Sequence, residues 1–256
     1  MKRVVVVGAS SGLGRSIGIG LAGQGARVAL LARRRDRLEK AAGEAGTDAV
    51  PIVCDVMDQA SCREAVAEAA AALGGIDGLV YAAGVLACTP IEQTDAATWA
   101  RLFATNVTGA ALVTAAALPH LTRAQGAAVY LSSISASIGP PWPLIGAYAT
   151  SKAALDKLVE VWQNEHPNVG FTRLTLGDCI GGDGDSATEM IAGVDPEMVG
   201  RAVSEWVRLG YYTGHFIDID HLIDILASVL RCGKSSVLPS VALIPRVAAA
   251  AVPSED

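Results

Sequence analysis

Val4-Val5-Val6-Val7-Gly8-Ala9-Ser10-Ser11-Gly12-Leu13-Gly14 runs from four β-branched residues into a glycine-spaced loop, and a stretch of helical character near 13–24 follows. Four consecutive valines favour a buried strand. Glycines at 8, 12 and 14 permit a tight turn and let backbone amides approach a pyrophosphate, and a helix N-terminus behind them favours negative charge. The spacing is G-x-x-x-G-x-G rather than G-x-G-x-x-G, so the loop draws its weight from its place between a first strand and a helix. Gly8, Ser10, Ser11, Gly12, Leu13 and Gly14 are therefore candidate dinucleotide-binding residues.

Outward from this unit, short apolar runs alternate with longer alanine-rich stretches, the pattern of βαβ units. The reading places strands near 3–7, 27–32, 50–53, 77–82, 127–132, 169–175 and 240–244. Helices are expected near 13–24, 35–45, 59–73, 95–118, 147–164, 196–210 and 219–231. No linker or internal repeat interrupts the alternation. The expected fold is a single-domain α/β Rossmann-type doubly wound sheet of about seven parallel strands with helices on both faces. Residues 178–218 are the longest insertion and are expected to cover the substrate, and 248–256 are expected to form a frayed tail.

With 256 residues, 51% of them hydrophobic and 18% charged, the chain can bury a large core. A formal charge of -6 offers no basic field for nucleic acid. Met1-Lys2-Arg3 leads directly into the first strand without a signal-peptide apolar region, and no uninterrupted apolar run reaches membrane-spanning length, so a cytoplasmic protein with no membrane partner is expected. Five scattered cysteines with no C-x-x-C pair suggest reduced thiols. His215 and His221 have no partners at metal-ligand spacing, so no metal is expected.

The end of the second strand selects between the nicotinamide cofactors. An acidic side chain here would suit the 2′-hydroxyl of NAD, whereas a 2′-phosphate calls for arginine. The chain reads Leu30-Leu31-Ala32-Arg33-Arg34, with no carboxylate before Asp36, which favours NADP(H) over NAD(H) through Arg33 and Arg34. After the third strand, Asp55-Val56 places an acid and an apolar residue where an adenine ring could be held.

In Ala147-Tyr148-Ala149-Thr150-Ser151-Lys152, a tyrosine and a lysine four apart project from one helix face. A nearby ammonium favours the phenolate and brings the tyrosine toward useful acid–base chemistry. Such a pair alone is common on helix surfaces. Taken with Gly8–Gly14, Asp55-Val56, Asn106-Val107-Thr108-Gly109 and Ser132-Ser133, in that order, it makes the sequence resemble the short-chain dehydrogenase/reductase family over nearly its whole length.

The resemblance implies that Tyr148 exchanges a proton with an alcohol or carbonyl oxygen, assisted by Lys152, which also binds the nicotinamide ribose. It assigns substrate positioning to a serine after the fifth strand and a water-linked proton relay to Asn106. Strand register selects Ser133, and the family's usual spacing to the tyrosine selects Ser135; register is harder to slip, which favours Ser133. The resemblance also implies cofactor contacts from Ala83, Gly84 and Gly177, and assembly as a homodimer or homotetramer through the helices near 95–118 and 147–164.

The chain departs from the family pattern at three places. Tyr81-Ala82-Ala83-Gly84 replaces Asn-Asn-Ala-Gly and loses two amide side chains expected to stabilise the sheet. Leu176-Gly177 replaces Pro-Gly, and Asp178–Gly182 lacks the usual nicotinamide-contacting pattern. The C-terminal third lacks a glycine-rich ending. Trp142, Leu144, Met190, Met198, Trp206, Tyr211, Tyr212 and Phe216 are candidate walls of an apolar pocket, and equally the content of an ordinary packed subdomain. The expected activity is hydride transfer between NADP(H) and a small-molecule secondary alcohol or ketone. The alternative is an NADP(H)-binding sensor with little turnover.

Overall fold

Seven strands pair in one fully parallel sheet of order β3-β2-β1-β4-β5-β6-β7 in the computed structural model, which describes residues 2–181, 194–232 and 236–246. They are β1 (Arg3–Val7), β2 (Arg27–Ala32), β3 (Val50–Val53), β4 (Gly78–Tyr81), β5 (Ala127–Ser133), β6 (Gly170–Leu176) and β7 (Ser240–Leu243). All seven fall where β-branched runs placed them.

Side chains alternate between faces, so each strand feeds two cores. Val5 and Val7 join Leu79, Tyr81 and Tyr130 beneath α3 (Gln59–Leu73), α5 (Gly109–Ala124) and α7 (Gly146–Glu165). Val4 and Val6 join Leu30, Val129 and Leu174 beneath α1 (Gly12–Gly23), α2 (Arg35–Ala45) and α9 (Ile219–Arg231). The strand order reverses between β1 and β4, which opens the crevice beyond their carboxyl ends where doubly wound sheets bind ligands.

The helix expected over 95–118 is three segments: α4 (Ala96–Phe103), a five-residue π-turn (Ala104–Thr108) and α5, which continues past Pro119 to Ala124. Burial of Leu121 against the sheet outweighs the break that a proline favours. Ala96–Ala124 is long and apolar enough by composition to cross a membrane, but Arg101 and the buried Asn106 interrupt it, and it packs against α3 and α7 inside the fold. A short helix, α6 (Ile134–Ser137), absent from the sequence expectation, follows β5.

Within 178–218 the described part contains α8 (Pro196–Arg208) and a bridge between Cys179 and Ile217. Asp195 and Asp218 cap α8 and α9 by accepting from Glu197 N and Asp220 N. Gly182–Asp185, Met190 and the expected tail at 248–256 lie outside the described residues. All five cysteines are free.

Candidate active site

The glycine loop is shaped by contacts that no larger residue could make. Gly8 has φ +87°, and a Cβ there would lie 2.6 Å from the Ala83 backbone nitrogen. At Gly14 a Cβ would lie 2.3 Å from the Gly8 carbonyl oxygen. The loop after β4, holding Ala83 and Gly84, is thereby seated directly on the loop after β1. Ser11 begins α1 in extended geometry without a side-chain cap, so its hydroxyl is available to other partners.

One partner is Arg34. Its guanidinium donates to Ser10 Oγ from Nε at 3.3 Å and from Nη2 at 2.8 Å, and Nη2 also donates to Ser11 Oγ at 2.8 Å. A cation is thus held across the glycine loop. Arg33 is exposed. Asp55 turns its own Oδ1 back to accept from Met57 N at 3.0 Å. Val56 is buried beside Gly109, where an added Cβ would lie 2.9 Å from the Val56 side chain. Gly177 has a packing reason of its own, since a Cβ there would lie 2.7 Å from Pro245 Cδ.

Tyr148 and Lys152 occupy the first turns of α7 and are both buried. Lys152 Nζ donates to the Leu131 carbonyl at 2.7 Å and stands 5.8 Å from the Tyr148 ring centroid. Burial pushes the Tyr148 phenol up to about 12, and the neighbouring Ser133 hydroxyl draws it partly back. Burial also lowers Lys152 to about 8, against the pull of Asp156. The spacing argument expected the ammonium to dominate the phenol; with Nζ turned to Leu131, desolvation wins, and Tyr148 is a protonated acid at neutral pH.

Ser133 and Ser135 form a pair, Oγ to Oγ 2.9 Å, with Ser135 N reaching back to Ser133 Oγ at 3.3 Å. The Ser133 hydroxyl faces the Tyr148 phenol, and Ser135, on α6, is buried.

Asn106 lies within the π-turn and is fully buried. Its Oδ1 accepts from Val85 N at 2.9 Å, and its Nδ2 donates to Val85 O at 3.0 Å and to Ser151 Oγ at 2.9 Å. Ser151 Oγ in turn donates to the Tyr148 carbonyl at 2.7 Å. Both amide hydrogens are committed, so the side chain ties the loop after β4 to α7. A Cβ added to Gly84 would stand 3.5 Å from both Asn106 Oδ1 and Lys152 Nζ, which places all three together. A π-turn at this point fits the habit of such turns to occur at functional sites.

Two contributors escaped the sequence reading. Ser151, adjacent to Lys152, faces Asn106, a fact visible only once α4 and α5 are docked on α7. The other is Tyr81. Its position was expected to lose a stabilising side-chain bond, but its hydroxyl donates to the Thr105 carbonyl of the π-turn at 2.6 Å. The hydroxyl has room because residue 109 is glycine, where a Cβ would lie 2.7 Å from it. A phenol makes the tie between sheet and helix here.

On the substrate side, Trp142 lies 5.1 Å from Trp206 and 6.0 Å from Tyr211 between ring centroids, and Trp206 Nε1 donates to Pro143 O at 2.8 Å. Leu144 and Met198 pack against the same cluster, which includes Tyr148. Tyr212 and Phe216 instead pair with each other. His215 and His221 are exposed, and no group of three metal-ligating side chains occurs among the described residues.

Comparison with known proteins gives the same direction. The family model described as short chain dehydrogenase matches residues 2–175. An 11-beta-hydroxysteroid dehydrogenase-like protein of Arabidopsis thaliana is 36% identical over 70% of this chain and 62% of its own length. An inactive 2-(S)-hydroxypropyl-CoM dehydrogenase of Xanthobacter autotrophicus is 33% identical over 71% of this chain and 79% of its own. The chain spans from about half to four-fifths of the length of the curated relatives it matches. Among solved structures, an alcohol dehydrogenase from Thermococcus sibiricus complexed with 5-hydroxy-NADP superposes with a TM-score of 0.77 at 25% identity, covering 95% of this chain and 96% of that one. The family match over residues 2–175, which hold β1 to β5, nearly all of β6, the glycine loop and the Tyr148–Lys152 helix, means that this chain belongs to the short-chain dehydrogenase/reductase family.

Proposed function

We propose that the chain is an NADP(H)-dependent oxidoreductase acting on a secondary alcohol or its ketone, with Tyr148 as general acid–base. The observation that carries this reading is the convergence of the buried Tyr148 and Lys152 with the partly buried Ser133 hydroxyl. The glycine loop, with its close-approach geometry at Gly8 and Gly14, fits a dinucleotide pyrophosphate, and Arg34 fits a 2′-phosphate. Bound NADPH would supply the hydride. The protein's part in reduction is to orient the carbonyl oxygen with Ser133 and to deliver the Tyr148 proton to it. Lys152 stabilises the phenolate left behind, and Asn106 holds the backbone beside both.

The primary test titrates purified protein with NADPH and NADH, then follows absorbance loss over a panel of ketones that includes bulky fused-ring examples. Turnover of none would overturn the enzyme reading. The inactive relative gives a reason to weigh the sensor alternative, and tight NADPH binding without turnover would establish it.

Cofactor selectivity rests on Arg34. Arg34→Leu should weaken NADPH binding by about 10- to 100-fold, the worth of one or two charge-assisted hydrogen bonds, and change NADH binding by less than about threefold. Equal losses for both cofactors, measured by fluorescence titration, would remove the 2′-phosphate assignment.

The serine pair is separable. Ser133→Ala should lower kcat by about 100-fold as a lost transition-state donor, and Ser135→Ala by less than about tenfold, since it acts through Ser133. The reverse order would transfer the positioning role to Ser135. The same reading carries a cytoplasmic homodimer or homotetramer, which light scattering on the purified protein tests for assembly.

A further inference from the structure

Tyr148, Lys152 and Asp156 recur every fourth residue along α7, and all three are buried, Asp156 to 4% exposure. A carboxylate at that depth is unusual unless it is paired, because desolvating the charge costs several kcal/mol. Yet neither Asp156 oxygen has a hydrogen-bond partner. Its nearest cation from another element is Arg173 of β6, with Nη1 3.9 Å from Oδ2. That guanidinium is drawn outward: Nη1 is closer to Glu160 Oε1, at 3.4 Å, and Nη2 donates to Ser240 Oγ at 3.3 Å. Ser132 of β5 and Ser137 of α6 face the carboxylate and offset part of its desolvation, without a well-formed hydrogen bond to either oxygen. Burial outweighs these partners and holds the Asp156 carboxyl above its usual range, while Ser132, Arg173, Ser137 and Lys152 all favour its charged form.

The charge this leaves acts on Lys152, one helical turn nearer the site, where i and i+4 side chains are neighbours. Lys152 meets Tyr148 on its own helix, the Leu131 carbonyl from β5, and Gly84 and Asn106 from the facing loop and π-turn. The carboxylate that opposes its desolvation is Asp156.

We propose that Asp156 is a positioning residue for the Tyr148–Lys152 pair, its buried carboxylate holding Lys152 as an ammonium through neutral pH, where Tyr148 serves as the acid. This rests on the acid–base reading of Tyr148 given above, but its decisive measurement does not. Burial alone would take the proton from Lys152 as pH rises toward neutrality, and Asp156 defers that loss. The weak ion pair with Arg173 is consistent with this, since a tight one would neutralise Asp156 before its field reached Lys152.

The test follows the Lys152 side-chain carbon signal by NMR through a pH titration of the cofactor-free protein, assigned by its disappearance in Lys152→Arg. The wild-type midpoint is expected near pH 8. Asp156→Asn, which keeps shape and removes charge, should lower it by about one pH unit. Asp156→Glu, if it folds, should return it to within about half a unit of wild type, as a restored charge and not a restored shape would. A midpoint in Asp156→Asn that is unmoved or raised overturns the proposal and leaves Asp156 a structural residue, whether or not any ketone is turned over. If ketone turnover is found, the alkaline fall of kcat/KM should move down with the Lys152 midpoint while KM at pH 6.5 stays within about twofold. An unmoved fall beside a lowered midpoint would show that Asp156 does not act on catalysis.

Discussion

Tyr148→Phe is expected to lower kcat for ketone reduction by about a thousandfold, within the range that a positioned general acid contributes. The ring remains, so the buried packing around Trp142, Ile145 and Ala147 stays filled, and the lost group is one hydroxyl. NADPH affinity should change by less than about threefold, because Lys152 and the glycine loop are untouched. Rates equal to wild type would remove Tyr148 from the chemistry.

The pH profile supplies an independent arm. On the proposed mechanism, reduction needs Tyr148 protonated and Lys152 charged. Tyr148 keeps its proton until about 12, so the first loss on raising pH comes from Lys152. The rate of reduction should therefore stay level from pH 6 and fall as pH rises through about 8. A rate that instead rises through that window would assign the limiting proton to another group.

How much of this was readable before the fold depended on the distance over which each feature is determined. The first strand, glycine loop and Tyr148–Lys152 pair are local: the valine run sets the strand, φ requirements set the glycines, and helical spacing sets the pair. The end of β5 at Ser133 was also accessible, because strand register resists slipping by a residue. What escaped depends on elements far apart in the chain. Tyr81 read as a loss because its partner, the Thr105 carbonyl, becomes an acceptor only inside a π-turn 24 residues away. Gly109 explains that tyrosine, and neither residue signals the other. Asp156 carries no signal in the sequence, since nothing short of the β5 and β6 register shows that it points inward at Ser132 and Arg173. The Tyr148 phenol likewise read as lowered by Lys152, because spacing gives proximity but not the direction of Nζ or the depth of burial.

Asn106→Leu is the substitution expected to damage both stability and turnover. The leucine side chain matches asparagine roughly in size but makes none of the bonds to Val85 N, Val85 O and Ser151 Oγ. Leaving one or two buried polar groups unpaired costs about 2–4 kcal/mol. For a chain of this length that corresponds to a fall in Tm of about 5–15 °C, readable by calorimetry. Turnover should fall further than folding explains. Asn106 sets the distance between the Gly84–Val85 backbone and the helix bearing Tyr148 and Lys152, and a displacement near 1 Å at a reacting centre costs about a hundredfold in rate. Asn106→Asp separates the two effects: it still accepts from Val85 N but loses both donors, so it should retain part of the stability while the tie to Ser151 is lost. A leucine variant with wild-type Tm and wild-type kcat would mean that the π-turn holds its place without Asn106. The hydrogen bond from Tyr81 to Thr105 would then be the tie that positions it.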